Sequence, residues 1–321
     1  MKLLSVALAL VVAMGCSATR VLAWDETGHQ QIADIAWTRL NDKARKEIAA
    51  ILMAGDAQTR PASESEADVR IAFRKSASFP DFIKFTKTTI YEDVLDSMNK
   101  TFFTVKPPDP KDNEDVRCKT WHYFDIPIRD KGVHAPKDSN ALNALAKARY
   151  ELATLEAAAT KDRKMQCWWL NWVAHLTGDL HQPLHCVSNH ETLPEGDAGG
   201  NLFMIKIKGS DRPGRLHGYW DGGITRSIAE DKLAGQSGDM AEVSSRWSRD
   251  FPPAAADAAN LDVISWIRSG AALADNIVYV GIEKDQEPSK GYEQTQVALC
   301  RRQAVLGGAR LAALLNEILG K

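Results

Sequence analysis

A mostly helical single domain, all-α but for one small β-hairpin, is what this chain predicts, and three observations predict it. Apolar residues recur at three- and four-residue intervals through most of residues 24–321. One segment alternates convincingly with a period of two. No composition break, internal repeat or low-complexity tract divides the chain, and 321 residues can form a single unit. The 44% hydrophobic and 26% charged content is ordinary for a globular protein and excludes a disordered chain, a fibrous repeat and a multi-span membrane protein. A formal charge of −2 excludes polyanion binding by bulk electrostatics, so any such affinity needs a local cationic site.

Residues 1–23 are set apart from the fold. Lys2, the apolar run Leu3 to Met14 and the small-residue end Val21-Leu22-Ala23 match a secretory signal, and the run is too short to span a bilayer. Ala13-Met14-Gly15-Cys16 loosely matches a lipoprotein box as the alternative. Cleavage after Ala23 would leave Trp24 with a free α-amine at the head of a domain of residues 24–321. The protein is then secreted or periplasmic.

Within that domain helices are expected over Gln30 to Leu40, Lys43 to Met53, Asn140 to Ala157, Met165 to Leu180, Leu261 to Tyr279 and Tyr292 to Leu319. Asn201 to Lys208 is the strand: Phe203, Ile205 and Ile207 share one face, Met204, Lys206 and Lys208 the other, and Gly209 begins a turn. Pro107 to Asp115 and Phe251 to Ala255 read as loops.

Export permits disulfides. Beyond Cys16, the cysteines Cys118, Cys167, Cys186 and Cys300 allow three pairings. A helix from Cys167 to about Gln182 would separate its ends by about 22 Å, which disfavours Cys167 with Cys186. Of the pairings that remain, Cys118–Cys186 with Cys167–Cys300 is preferred.

The densest polar constellation runs from His175 to His185. His175 and Asp179 are four apart and share a helix face. Pro183 ends the helix, so the chain turns and can bring His185 back to the same pocket. Imidazole and carboxylate ligands at this spacing suit zinc. His217 and Asp221 repeat the interval; Asp81 lies in Phe79-Pro80-Asp81, His122 in Trp121-His122-Tyr123-Phe124-Asp125, and His29 follows Trp24 by five residues. A lone histidine is usually a satisfied core or surface group, but five of the chain's eight are the ligand candidates of these patches. His134 and His190 read as surface residues and His181 as structural, because it points away from the Asp179 face. Trp168, Trp169 and Trp172 read as core packing.

Together these patches resemble the zinc-dependent single-strand-specific nucleases of the S-one/P-one type, related to bacterial zinc-dependent phospholipase C. The resemblance begins at Trp24 and His29, passes through Gly199-Gly200-Asn201 and ends at Gly307-Gly308-Ala309-Arg310 with Leu315-Asn316. It implies that mainly helical fold and three zinc ions per chain. Asp81, His122 and His175 would hold one, the amine and carbonyl of Trp24 with His29 a second, and His185, His217 and Asp221 a third, with Asp179 bridging the first two. It implies an endonuclease for RNA and single-stranded DNA giving 5′-phosphorylated products, with 3′-mononucleotides as a further substrate. Asp125 would orient the attacking water, Lys84 neutralise phosphoryl charge, and Tyr123 stack a base. The expected partner is single-stranded nucleic acid (RNA, ssDNA) as substrate, bound by a monomer without stable membrane association. Phe79 replaces the family's usual Trp, and Gly222 follows Asp221 where fungal members carry Asn. The alternative is a zinc phospholipase C on the same scaffold, which typically has Glu at position 221.

Overall fold

Asp25 starts the helical part of the chain: its side chain accepts from Gly28 N at 2.8 Å and caps helix α1, Glu26–Trp37. The computed structural model describes residues 24–55, 58–83, 119–130, 132, 141–155 and 163–321. Residues 1–23, Lys84, Cys118, His134 and the expected loop at 107–115 lie outside the described residues.

The helices α2 (Asp42–Met53), α3 (Glu66–Ile83), α4 (Ala141–Leu155) and α5 (Arg163–Asp179) follow. After them come α6 (Leu216–Asp221), α7 (Gly223–Leu233), α8 (Met240–Asp250), α9 (Ala255–Ala259), α10 (Val263–Leu273) and α11 (Lys290–Leu319). The expected helices form with boundaries shifted by a few residues. Asn41 caps α2 by accepting from Ala44 N, and Ser289 caps α11, which begins two residues before the expected start. The expected Leu261–Tyr279 helix is instead α10 plus a π-helical turn over Ala274–Val278. Helix α3 runs through Pro80, which costs one bond of the ladder only in the final turn.

Two apolar clusters make the core. One joins α2, α3, α4 and α5 around Phe73, Trp169 and Trp172; the other packs Trp24, which precedes α1, with Trp220, Trp247 and Val305 from α6, α8 and α11. Helix α1 runs between them, giving Trp37 to the first and Ile32 and Ile35 to the second. Helix α11 lies so close to α1 that a Cβ on Gly308 would stand 2.5 Å from Ile35 Cγ2, a contact only glycine allows.

Strands are short. β3 (Met204–Lys206) pairs antiparallel with β4 (Pro213–Arg215), with Gly209 at φ +75° in the connection, which is the expected hairpin in a shorter form. β1 (Ile126–Ile128) pairs in parallel with β2 (Val187–Asn189), a ladder the periodicity did not announce. It ties the 3-10 turn Lys119–His122 to the 3-10 turn Pro183–Cys186, reinforced by Phe124 N donating to His185 O at 2.8 Å.

The expected disulfides are corrected. Cys186 and Cys300 are buried free thiols, and no disulfide forms among the described residues. Cys167 lies in the first core against Gly55, while Cys300 lies in the second against Gly223, so the Cys167–Cys300 bridge is not made. Both cysteines serve as small apolar fillers beside glycines.

Candidate metal centre

Five elements bring the sequence-predicted residues together: α1 with His29, α3 with Asp81, the turn ending at His122, α5 with His175 and Asp179, and the turn carrying His185. Helix α6 adds His217 and Asp221 beside His185. All eight side chains are buried. The ring of His29 lies against α5 because residue 178 is glycine: a Cβ there would stand 2.8 Å from His29 Nδ1.

Asp179 stands at the middle. Its Oδ2 is 3.0 Å from His122 Nδ1 and 3.1 Å from His175 Nε2, and those two nitrogens are 2.8 Å apart. Its Oδ1 is 3.3 Å from His29 Nε2. Asp81 sits farther back, 3.7 Å from both His29 Nε2 and His175 Nε2 and 3.8 Å from His122 Nδ1. The two oxygens of Asp179 thus face different imidazoles. In the neighbouring group His185 Nε2 and His217 Nε2 lie 3.9 and 3.7 Å from the Asp221 carboxylate.

Backbone carbonyls decide which ring nitrogens are bare. His175 Nδ1 donates to Ala77 O at 2.8 Å, His185 Nδ1 to His122 O at 2.7 Å and His217 Nδ1 to Gly199 O at 2.7 Å. A carbonyl only accepts, so each Nδ1 carries the proton, and in the neutral ring each Nε2 is a lone pair. Those lone pairs aim at carboxylate oxygens. His29 Nε2 and Asp179 Oδ1, both buried, form no bond of hydrogen-bond geometry. Acceptor facing acceptor inside a buried site calls for a cation between them, and an outer carbonyl fixing the tautomer is the usual support of a metal-binding imidazole. The residues present therefore fit divalent metal in His/Asp groups.

The charges are arranged to match. Burial alone would raise the Asp179 carboxyl, but positive charge at the surrounding His175, His122 and His29 lowers it well below the ordinary carboxylate range, the direction in which a bound cation would also act. Burial and the neighbouring His175 push the His29 imidazole down, favouring the neutral, ligating form.

Trp24 is fully buried and its indole donates to Gly178 O at 3.0 Å, one residue before Asp179; Asp25 N donates to Asp221 O at 3.0 Å. The start of the domain is thus tied between the two groups. Asp125 follows His122 by three residues, and burial together with the charge of Asp197 raises its carboxyl to about 7. Tyr123 is half-buried in the same segment. His181 stays outside, as expected: its Nδ1 bonds Thr177 O, its Nε2 accepts from Arg310, and burial with that guanidinium lowers it to about 3.

Two supports escaped the periodicity. Gln182 Nε2 donates to Asp221 Oδ1 at 2.8 Å while its Oε1 accepts from Leu184 N, so it bridges the helix end to the second group. Its place between His181 and Pro183 was the available signal. The Gly199 carbonyl that orients His217 comes from a loop with left-handed backbone at Gly196, Ala198, Gly199 and Gly200. A Cβ at Gly199 would stand 2.3 Å from Leu184 O.

Against known proteins, the family described as S1/P1 nuclease matches residues 24–320. The chain is also similar to Endonuclease 2 of Arabidopsis thaliana, 23% identical over 313 residues that cover 95% of this chain and 93% of that one. Among the described residues no helix is long and apolar enough to cross a membrane.

Proposed function

We propose, for a chain that belongs to the S1/P1 nuclease family and is a phosphodiester-hydrolysing enzyme acting on nucleic acid, that it is an exported, three-zinc endonuclease for RNA and single-stranded DNA. The observation that carries this reading is the set of carbonyl-locked imidazoles whose lone pairs face Asp179 and Asp221. One ion would be held by Asp81, His122 and His175, a second by His29 with the amine and carbonyl of Trp24, and a third by His185, His217 and Asp221. Asp179, with an oxygen toward each imidazole set, would serve the first two. The second assignment supports removal of residues 1–23, because only cleavage frees that amine.

Bound zinc supplies positive charge against the phosphoryl oxygens and acidifies water to near neutrality, about 7 in favourable sites. The chain's own residues do the rest. Asp125 orients the attacking water and accepts its proton at the carboxylate; a carboxyl lifted to about 7 is matched to that work. Water attacks phosphorus, the bond from phosphorus to the 3′ oxygen breaks, that oxygen takes up a proton from solvent and leaves as a 3′-hydroxyl, and the other product keeps a 5′-phosphate. Lys84 neutralises charge developing on the phosphoryl oxygens. Tyr123 stacks an unpaired base, a contact of about 1–3 kcal/mol that a duplex offers only after unstacking. 3′-Mononucleotides present the same phosphoryl bond and are a further substrate.

Assays of the secreted protein on denatured DNA, RNA, duplex DNA and phosphatidylcholine test this. Cleavage of the single strands to 5′-phosphates with little duplex cleavage is expected; lipid cleavage without nuclease activity contradicts it.

A further inference from the structure

We propose that the β3–β4 hairpin is a phosphate-tracking arm, which holds the backbone of a single strand beyond the bond being cut. The inference rests on the nuclease reading above and extends it to a surface outside the metal groups. In a chain of formal charge −2, residues 204–215 carry Lys206, Lys208, Arg212 and Arg215 against the single acid Asp211. All four cations are exposed, and none forms an ion pair or side-chain hydrogen bond among the described residues. Ile205, fully buried, anchors one face, which leaves Met204 and Lys206 on the other, with Arg215 directly across from Met204. Lys206 and Arg215 therefore share one face of the paired strands, and Lys208 and Arg212 follow in the connection between them, so the cations are spread along the hairpin rather than gathered at a point.

Arg215 joins the hairpin to the site. Arg215 is the residue before α6 and stands two positions ahead of His217. Leu216 N donates to Phe203 O at 2.8 Å and His217 N to Gly200 O at 3.2 Å, so the hairpin base and the second metal group share one backbone frame. Gly218, exposed and three residues after Arg215, lies beside it on the helix surface, and a Cβ there would meet nothing within 4 Å. Acids exist nearby: Glu283, Asp285 and Glu287 follow the opposite edge of β3, where Asp285 N donates to Met204 O and Lys206 N to Gln286 O. They border the arm on one side and pair with none of its cations, which leaves the β4 side for an anionic strand.

The test compares the full protein with a variant carrying Lys206→Gln, Lys208→Gln, Arg212→Gln and Arg215→Gln. Both are assayed on a 20-nucleotide single strand and on a dinucleotide across a salt series. The expected loss grows with length: kcat/KM falls roughly tenfold or more on the long strand at low salt and less than about twofold on the dinucleotide. The log–log salt slope on the long strand becomes shallower by about 2–3, because each phosphate neutralised on a single strand contributes about 0.7. Arg215→Gln alone should flatten the slope by about 0.7 and serves if the fourfold variant misfolds. An unchanged slope, or equal loss on both substrates, overturns the arm. Binding to phosphatidylserine vesicles that these substitutions abolish, with long-strand cleavage untouched, assigns the patch to a membrane and also overturns it. A protein that binds the long strand with this salt dependence but cleaves nothing keeps the arm and sinks the catalytic reading.

Discussion

Two carboxylates, Asp34 and Asp179, are both fully buried and both held below the ordinary carboxylate range against the cost of burial, yet their surroundings differ in kind. Asp34 on α1 is closed by permanent cations and a hydroxyl: Arg70 donates to it twice, at 2.7 and 2.6 Å, Arg74 donates once, and Ser244 Oγ donates at 2.6 Å. Its charge is satisfied by the chain itself, and the arrangement locks α1, α3 and α8 together. Asp179 is surrounded by imidazoles, and the one fixed by Ala77 O presents it with a lone pair rather than a proton. The first cluster is complete without a ligand. The second needs a cation, and that difference separates a structural buried charge from a site.

The comparison breaks most visibly at Asp179. Asp179→Asn is expected to abolish turnover and to lower bound metal by at least one ion per chain, read by elemental analysis beside a circular dichroism melt; full metal content would place the ions elsewhere. Next comes Asp125→Asn, which should leave metal content intact while turnover drops by about 10²–10⁴. The same residue sets a pH dependence. Its folded value is raised to about 7, so the fold binds a proton that the unfolded chain releases near 3.8, and the buried charge costs stability as pH rises between those values. Activity moves oppositely, falling as the pH drops below about 7 while the base is protonated; the Asn variant should lose that acid limb.

Asp34→Asn addresses the other cluster. It leaves two partly buried guanidiniums without their counter-charge, so a loss of about 3 kcal/mol in denaturant unfolding is expected, with metal per folded molecule unchanged. Lost metal at unchanged stability would reverse the assignment of the two carboxylates. The smallest effect belongs to Gln182→Ala, which removes a support of Asp221: about 10–100-fold in metal affinity or activity, with little change in melting.

Much of the site was legible because its residues obey one period. His175 with Asp179, and His217 with Asp221, sit four apart on helices, so spacing alone puts each pair on one face, and Pro183 marked the turn that returns His185. His181 was placed correctly for the same geometric reason. What escaped depends on packing between distant segments. Helix α3 hid behind Pro80 and a mixed composition, although it carries Asp81. The cysteines looked like disulfide partners because spacing cannot show that Cys167, Cys186 and Cys300 each fill a gap opposite a different glycine. The parallel β1–β2 ladder joins residues some sixty positions apart, and three-residue strands leave no alternation to read.

Metal analysis of the purified protein bears most directly on the central claim, that imidazole lone pairs and buried carboxylates enclose divalent ions. Plasma mass spectrometry of the purified protein, with its first residue sequenced, should find three zinc ions per molecule and Trp24 at the amino end. Fewer than two ions per molecule in a folded, active protein would contradict it.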